Sequence, residues 1–252
     1  MKATSIPGHE QTFINTGIDS IGKKFKLKTN TIAIAGSTAT VKITDCIREN
    51  NDDSFYYKET FPKERIVLHF TAGYLKGDIS TLTTPGNHVS VPYVIGRGGA
   101  IYKLWDDSYW SYHLGSGASG GNTEMSKRSI AIEISNIAWL EKVGQNLVSS
   151  YSKTDVYCNI ADTAYYTKLT TPYRDKIYFA SFTAAQYDSL SKLLKLLLVK
   201  YPAISGKFIE VQQRYDYLPN PAAHKCIMSH VNFRPADKWD IGPAFNWDSV
   251  VL

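Results

Sequence analysis

The sequence predicts an α/β fold in which a central mixed β-sheet is flanked by helices, with a small N-terminal β-rich accessory segment ahead of it. Three observations carry this. Residues 65–70, 92–104 and 129–135 hold nearly continuous apolar runs of strand length, as expected of strands buried on both faces. One long helical pattern follows Phe182. Residues 23–43 alternate or carry short β-branched runs broken by turn residues.

The elements follow in chain order. Lys23-Lys24-Phe25-Lys26-Leu27-Lys28 alternates, and Thr31-Ile32-Ala33-Ile34-Ala35 and Ala39-Thr40-Val41-Lys42-Ile43 flank the turn signal Gly36-Ser37, so a short antiparallel meander is expected. Asn50-Asn51-Asp52-Asp53-Ser54 is polar and turn-rich. It suggests a division into an accessory segment over 1–60 and a main domain over 61–252. Arg65–Phe70 reads as the first buried strand. The runs on either side of Arg97-Gly98-Gly99 read as a hairpin, and Ser129–Ser135 reads as a third strand. Residues 140–182 are rich in Tyr and Thr with weak periodicity, and are expected to be an insertion containing loops. Thr183 can cap a helix, with Gln186 completing a capping box. Leu190, Leu193, Leu194 and Leu197 give that helix one apolar face, and Pro202 stops it.

Composition narrows the function classes. A chain of 252 residues, 43 % hydrophobic and 13 % aromatic, can bury a sizeable core and is not a disordered polymer. A net charge of +5 from 28 basic and 23 acidic residues is too mild for a nucleic-acid binder. No apolar run reaches the roughly 18 residues that span a bilayer, so no membrane insertion is expected. Residues 1–8 lack the apolar core of a secretory signal. Cys46, Cys158 and Cys226 cannot make a disulfide framework and show no paired metal spacing, so they are read as reduced and structural.

Four residues could carry chemistry. His69 ends an apolar strand, a position where a lone histidine is usually structural. His230 and Asp240 flank a Pro-containing loop and could face one cavity. Two histidines and one carboxylate suit zinc, and three protein ligands leave the fourth position open, as catalytic sites require. Glu133 interrupts an apolar strand. Strict alternation could put it on a solvated face, or it could stand at the rim of a cleft as a proton acceptor.

Five segments, in order, resemble the zinc-dependent N-acetylmuramoyl-L-alanine amidases of the type-2 amidase and peptidoglycan-recognition-protein superfamily. They are Ile66–Gly73, Val89–Tyr102, Tyr112-His113-Leu114-Gly115, Asn122 through Glu133, and His230–Trp247. The resemblance implies a zinc cleft on one face of the sheet, with His69, His230 and Asp240 as ligands. It implies Glu133 as general base, Lys238 as oxyanion stabiliser, and His113 and Asn122 on the substrate side. The substrate would be bacterial peptidoglycan or muropeptides, cut between N-acetylmuramic acid and L-alanine by a monomeric enzyme.

The chain departs from the family pattern at four positions. Pro92 removes a polar contact of the hairpin strand, and Gly99 alters a turn. Leu114 is expected to narrow the cleft, and Ile241 to loosen the loop after Asp240. His88, His9, and His224 with Cys226 are read as outside the ligand set. Without a visible signal, three settings remain: an endolysin freed by a holin, a cytoplasmic enzyme recycling anhydro-muropeptides, and a secreted effector. The endolysin is favoured because the N-terminal segment and the 140–182 insertion exceed a minimal recycling enzyme. A module that binds peptidoglycan without cutting it is the rival from another class, and retention of Asp240 argues against it.

Overall fold

The computed structural model describes residues 2–252. The N-terminal part holds α1 (Ile6–Thr16), β1 (Phe25–Ala33) and β2 (Thr40–Arg48). Next come β3 (Arg65–Phe70), α2 (Leu75–Leu82), β4 (Tyr93–Ile95), β5 (Ile101–Lys103), α3 (Asn122–Lys127) and β6 (Ser129–Ile134). Five further strands follow: β7 (Trp139–Val143), β8 (Asn146–Ser149), β9 (Val156–Asn159), β10 (Tyr166–Tyr173) and β11 (Lys176–Ala180). The chain then forms α4 (Ala184–Lys200) and β12 (Ile227–Ser229).

The predicted mixed sheet is present, with seven strands in the order β1-β2-β5-β4-β6-β3-β12. Strands β4, β6, β3 and β12 run parallel to one another, whereas β4–β5 and β1–β2 are antiparallel. Alternation along the inner strands separates two faces. Ile66, Leu68, Ile130 and Ile132 pack against Leu190, Leu193, Leu194 and Leu197 of α4. On the other face Val94, Ala131 and Tyr102 meet Phe13 of α1 and Leu75 and Ile79 of α2. Helices therefore cover both faces, and the strands need apolar residues on each.

The helix α4 begins as its sequence predicts. The Gln186 amide donates to Thr183 Oγ1 at 3.1 Å, and the Thr183 amide donates to Gln186 Oε1 at 3.0 Å. Thr183 Oγ1 also donates to the Arg97 carbonyl at 2.7 Å, tying the helix start to the β4–β5 turn.

Two segments differ from expectation. The first 60 residues contain a helix, α1, as well as strands, and the meander is a two-stranded hairpin whose β2 pairs in parallel with β5. That hairpin continues the central sheet. The inward face of α1 carries Ile6, Glu10 and Phe13. The buried Glu10 carboxylate accepts the backbone amides of Arg97 at 2.8 Å and Gly98 at 3.0 Å. Residues 140–182 hold more than the loops expected there: β7 to β11 form a second, antiparallel sheet ordered β10-β11-β7-β8-β9. Its core of Ile137, Leu140, Leu147, Tyr157 and Ala180 takes in Ala3 and Ile6 from the N-terminal segment. All three cysteines are free and buried, as expected.

Leu194→Ala removes a fully buried side chain from the α4 face and is expected to cost about 2–5 kcal/mol of stability. Thr183→Ala removes only the cap and is expected to cost about 1 kcal/mol. Chemical denaturation of both variants checks the order. Equal losses would mean that α4 is held by its cap rather than by its apolar face.

Candidate metal centre

Three neighbouring parallel strands deliver the site. His69 is the penultimate residue of β3 and lies in register with Glu133 of β6. Both belong to the face opposite α4, because Ile66, Leu68, Ile130 and Ile132 occupy the α4 side. This resolves the two readings of Glu133, which stands half-buried beside the cavity rather than on an open surface. His230 follows the last residue of β12 directly. Its turn is fixed by Asn232, which accepts the Ser229 amide at 2.9 Å and donates to the carbonyls of Gln213 and Asp216. The Val231 amide donates to the Asp240 carbonyl at 2.9 Å, which brings the third member alongside.

His69, His230 and Asp240 converge as expected, all buried. His69 Nδ1 stands 3.0 Å from His230 Nδ1 and 3.1 Å from Asp240 Oδ2, and His230 Nδ1 stands 2.9 Å from the same oxygen. Tetrahedral ligands about 2.0–2.1 Å from zinc lie about 3.3 Å apart, so this triangle has the size of one face of a zinc site. The tautomers agree. His230 Nε2 faces the Leu114 carbonyl at 3.0 Å, an acceptor only, so that nitrogen carries the proton and Nδ1 turns its lone pair inward. His69 Nε2 meets His113 Nδ1 at 3.1 Å, which allows His69 the same arrangement. Two inward lone pairs and a carboxylate oxygen in one buried spot repel each other unless a cation joins them. The donor set therefore fits zinc.

The electrostatics follow from burial. Desolvation, with the neighbouring His230, pushes the His69 imidazole down to about 4. Burial also works to raise Asp240, but the histidines beside it outweigh that and hold the carboxyl well below its usual range. Glu133 is raised well above the usual carboxylate range, by burial first and then by the charges of Asp240 and Asp78. Its Oε2 is buried with no hydrogen-bond partner among the described residues. The triad, Glu133, His113 and Lys238 all line one cavity of about 260 Å³. His113 Nε2 is likewise buried without a partner.

Three expectations meet a different arrangement. Asn122 does not line the cavity; it sits at the start of α3 and accepts from Ser126 Oγ at 3.1 Å. The Leu114 side chain is fully buried among Val67, Met228 and Phe233, so it does not narrow the cleft, and its carbonyl orients His230 instead. Ile241 is buried in the main core and anchors the loop after Asp240. The remaining histidines stay outside the triad: His88 stacks on Tyr57, and His9 meets the edge of Tyr74.

Sequence reasoning missed the part played by the second sheet. Arg174, in the β10–β11 turn, donates from its guanidinium to the Lys238 carbonyl and accepts Trp239 Nε1 on its own carbonyl at 3.2 Å. Trp139 of β7 packs on Trp239 with ring centres 4.3 Å apart. The loop carrying Lys238 and Asp240 is thus latched from outside the central sheet. No residue-type signal marks Arg174, because the latch runs through backbone carbonyls.

The amidase AmiD of Escherichia coli, an N-acetylmuramoyl-L-alanine amidase, is 24 % identical over 196 residues, 75 % of this chain and 53 % of AmiD. The chain thus spans about half the length of that curated relative. The structure of E. coli AmiD with anhydro-N-acetylmuramic acid-L-Ala-D-gamma-Glu-L-Lys is 19 % identical at a TM-score of 0.48, covering 87 % of this chain and 64 % of that one. The structure of AMPDH3 from Pseudomonas aeruginosa is 19 % identical at a TM-score of 0.46, covering 77 % of this chain and 60 % of that one. Residues 60–243, which contain every member of the triad together with Glu133 and Lys238, match the Amidase_2 family, and the chain belongs to this family of N-acetylmuramoyl-L-alanine amidases.

Proposed function

We propose that the chain is a zinc-dependent N-acetylmuramoyl-L-alanine amidase that cuts peptidoglycan between the lactyl group of N-acetylmuramic acid and L-alanine. The observation that carries this is one cavity wall where three inward-facing ligand atoms stand beside Glu133, whose Oε2 is buried with no hydrogen-bond partner among the described residues. His69, His230 and Asp240 would hold the ion. Bound there, zinc would supply Lewis-acid polarisation of the scissile carbonyl and lower the pKa of water.

The rest falls to side chains. Glu133, with its affinity for a proton raised by burial, takes the proton of the attacking water as oxygen bonds to the carbonyl carbon. It returns that proton to the leaving nitrogen as the C–N bond breaks. The products are a lactyl carboxylic acid and the free amine of L-alanine. Lys238 lines the same cavity, and its ammonium stabilises the oxyanion formed in between. His113 offers its remaining ring nitrogen to the substrate.

We infer further that the substrate is the polymeric wall, as for an endolysin. The hairpin β1–β2 and the second sheet support this, since they enlarge the molecule around a small catalytic cavity. Because ring-and-carboxylate ligation needs a metal to be useful, the reading as a module that only binds the wall is the weaker one.

His230→Ala and Asp240→Ala should each abolish zinc retention, read by metal analysis, and abolish hydrolysis. EDTA should do the same to the unchanged chain, with rescue by zinc. Glu133→Gln should keep the metal and lower kcat by roughly 10²–10⁴-fold, and Lys238→Ala should lower it by roughly 10²–10³-fold. Full activity in Glu133→Gln would refute the assigned base. Intact sacculi and soluble anhydro-muropeptides, digested side by side and analysed by mass spectrometry, test the setting. Stem peptides released from sacculi support the endolysin; turnover of soluble fragments alone points to recycling.

A further inference from the structure

Lysine has a long, flexible side chain, so where the Lys238 ammonium stands depends on how firmly its backbone is held. That hold comes from outside the central sheet. The β10–β11 hairpin turns on Arg174 and Asp175, between the paired residues Tyr173 and Lys176. Both turn residues are left-handed, at φ of 48° and 65°. A two-residue turn of this kind favours Asn and Gly, and an arginine is strained there. The side chain makes use of the place. The Arg174 guanidinium lies 5.6 Å over the Tyr173 ring and donates to the Lys238 carbonyl. In return, the Trp239 indole N–H donates to the Arg174 carbonyl at 3.2 Å. One residue thus grips two successive residues of the loop. The hairpin end is itself anchored, because the Tyr173 hydroxyl donates to the Tyr215 carbonyl at 3.1 Å. From the other side the chain returns tightly on the loop: a Cβ added to Gly242 would stand 2.6 Å from the Trp239 oxygen.

We propose that Arg174 is a positioning residue for the amidase reaction: it fixes the backbone of Lys238 so that the ammonium meets the oxyanion, and this gives the second sheet a task in the reaction. Arg174 does not line the cavity, so it acts through Lys238 and not on the reacting atoms. A guanidinium suits the work. Its planar fork is permanently charged, and its hydrogen bond to a carbonyl is charge-assisted. A misplacement of about 1 Å at a group that meets the transition state can cost on the order of a hundredfold in rate. Asp240 is less dependent on the grip, since the Val231 amide holds its carbonyl separately at 2.9 Å. Loss of the Arg174 side chain should therefore disturb Lys238 and spare the ligand set. The proposal rests on the amidase reading for the role of Lys238, but not for the grip itself.

The test uses the whole chain. Arg174→Gly removes the side chain at a φ that glycine adopts without strain, so the hairpin still forms. On a muropeptide it should lower kcat by about tenfold or more and leave KM within about twofold. Zinc retention, read by metal analysis, should not change. Arg174→Lys keeps a charged donor and should recover part of the loss. In a Lys238→Ala background, Arg174→Gly should lower kcat by less than about twofold, because the two residues act as one unit. Hydrogen exchange at the Trp239 indole N–H should quicken by about tenfold or more in Arg174→Gly, and this readout needs no turnover. Unchanged kcat in Arg174→Gly, an equal loss in the Lys238→Ala background, loss of zinc, or unchanged exchange at Trp239 overturns the positioning role. A chain that hydrolyses no muropeptide, while exchange at Trp239 still quickens, overturns the amidase reading and with it the role of Lys238, and leaves the grip standing.

Discussion

Everything at this site depends on the parallel pairing of β6, β3 and β12. Because the strands run the same way, their carboxyl ends meet at one edge of the sheet, and each hands over one residue there: Glu133, His69 and His230. Ligands commonly sit at such edges of open α/β sheets for the same reason. The register does more than gather them. A slip of one residue between β3 and β6 would turn either His69 or Glu133 toward α4 and end the arrangement. The packing of Ile66, Leu68, Ile130 and Ile132 on the leucines of α4 is therefore what sets the chemistry on the opposite face.

Burial then gives the gathered groups their character. A carboxylate in water is a poor proton acceptor near neutral pH, but Glu133 is desolvated and close to two other carboxyls, and it holds a proton more tightly. The same exclusion of water keeps His69 neutral, as the proposed metal ligation requires. Burial is the larger cause for each, with the neighbouring carboxyls adding to it at Glu133 and His230 adding to it at His69. What each needs is the covering layer that α2 and the loops on that face supply. Around them, backbone carbonyls do the orienting: Leu114 for His230, Arg174 for Trp239, Gln213 and Asp216 for Asn232.

Where the sequence carried apolar runs or a capping pattern, it could be read, and the strands β3, β4, β5 and β6 and the cap of α4 were legible for that reason. The convergence of His69, His230 and Asp240 was expected from the resemblance to the amidases, since the spacing of the three leaves it open. The helix α1 was not, because its buried face includes a carboxylate, Glu10, and Pro7 and Gly8 weaken the helical pattern. The second sheet was not, because its strands β8 and β9 are only four residues long and β10, largely open to solvent, is built mainly of Tyr and Thr rather than Ile and Val. Asn122 was misplaced because its neighbourhood in the chain is close to His113 only through Ser126. Arg174 had no signature at all, since a carbonyl accepts from any donor that geometry brings to it.

The clamp of Glu10 on the β4–β5 turn has a consequence for how the chain can be divided. Glu10 holds the amides of Arg97 and Gly98, and the Arg97 carbonyl in turn holds Thr183 at the head of α4. One turn thus links the first helix, on one face of the sheet, to the last helix, on the other. Phe13 adds to the link by packing edge-on against Tyr102 and Phe25. A fragment trimmed to begin at residue 61 would leave two backbone donors without their acceptor and an apolar hollow where Phe13 sat. The N-terminal stretch acts as a keystone, so the part of the chain that looks most like an appendage is one that the central sheet and its helices close upon.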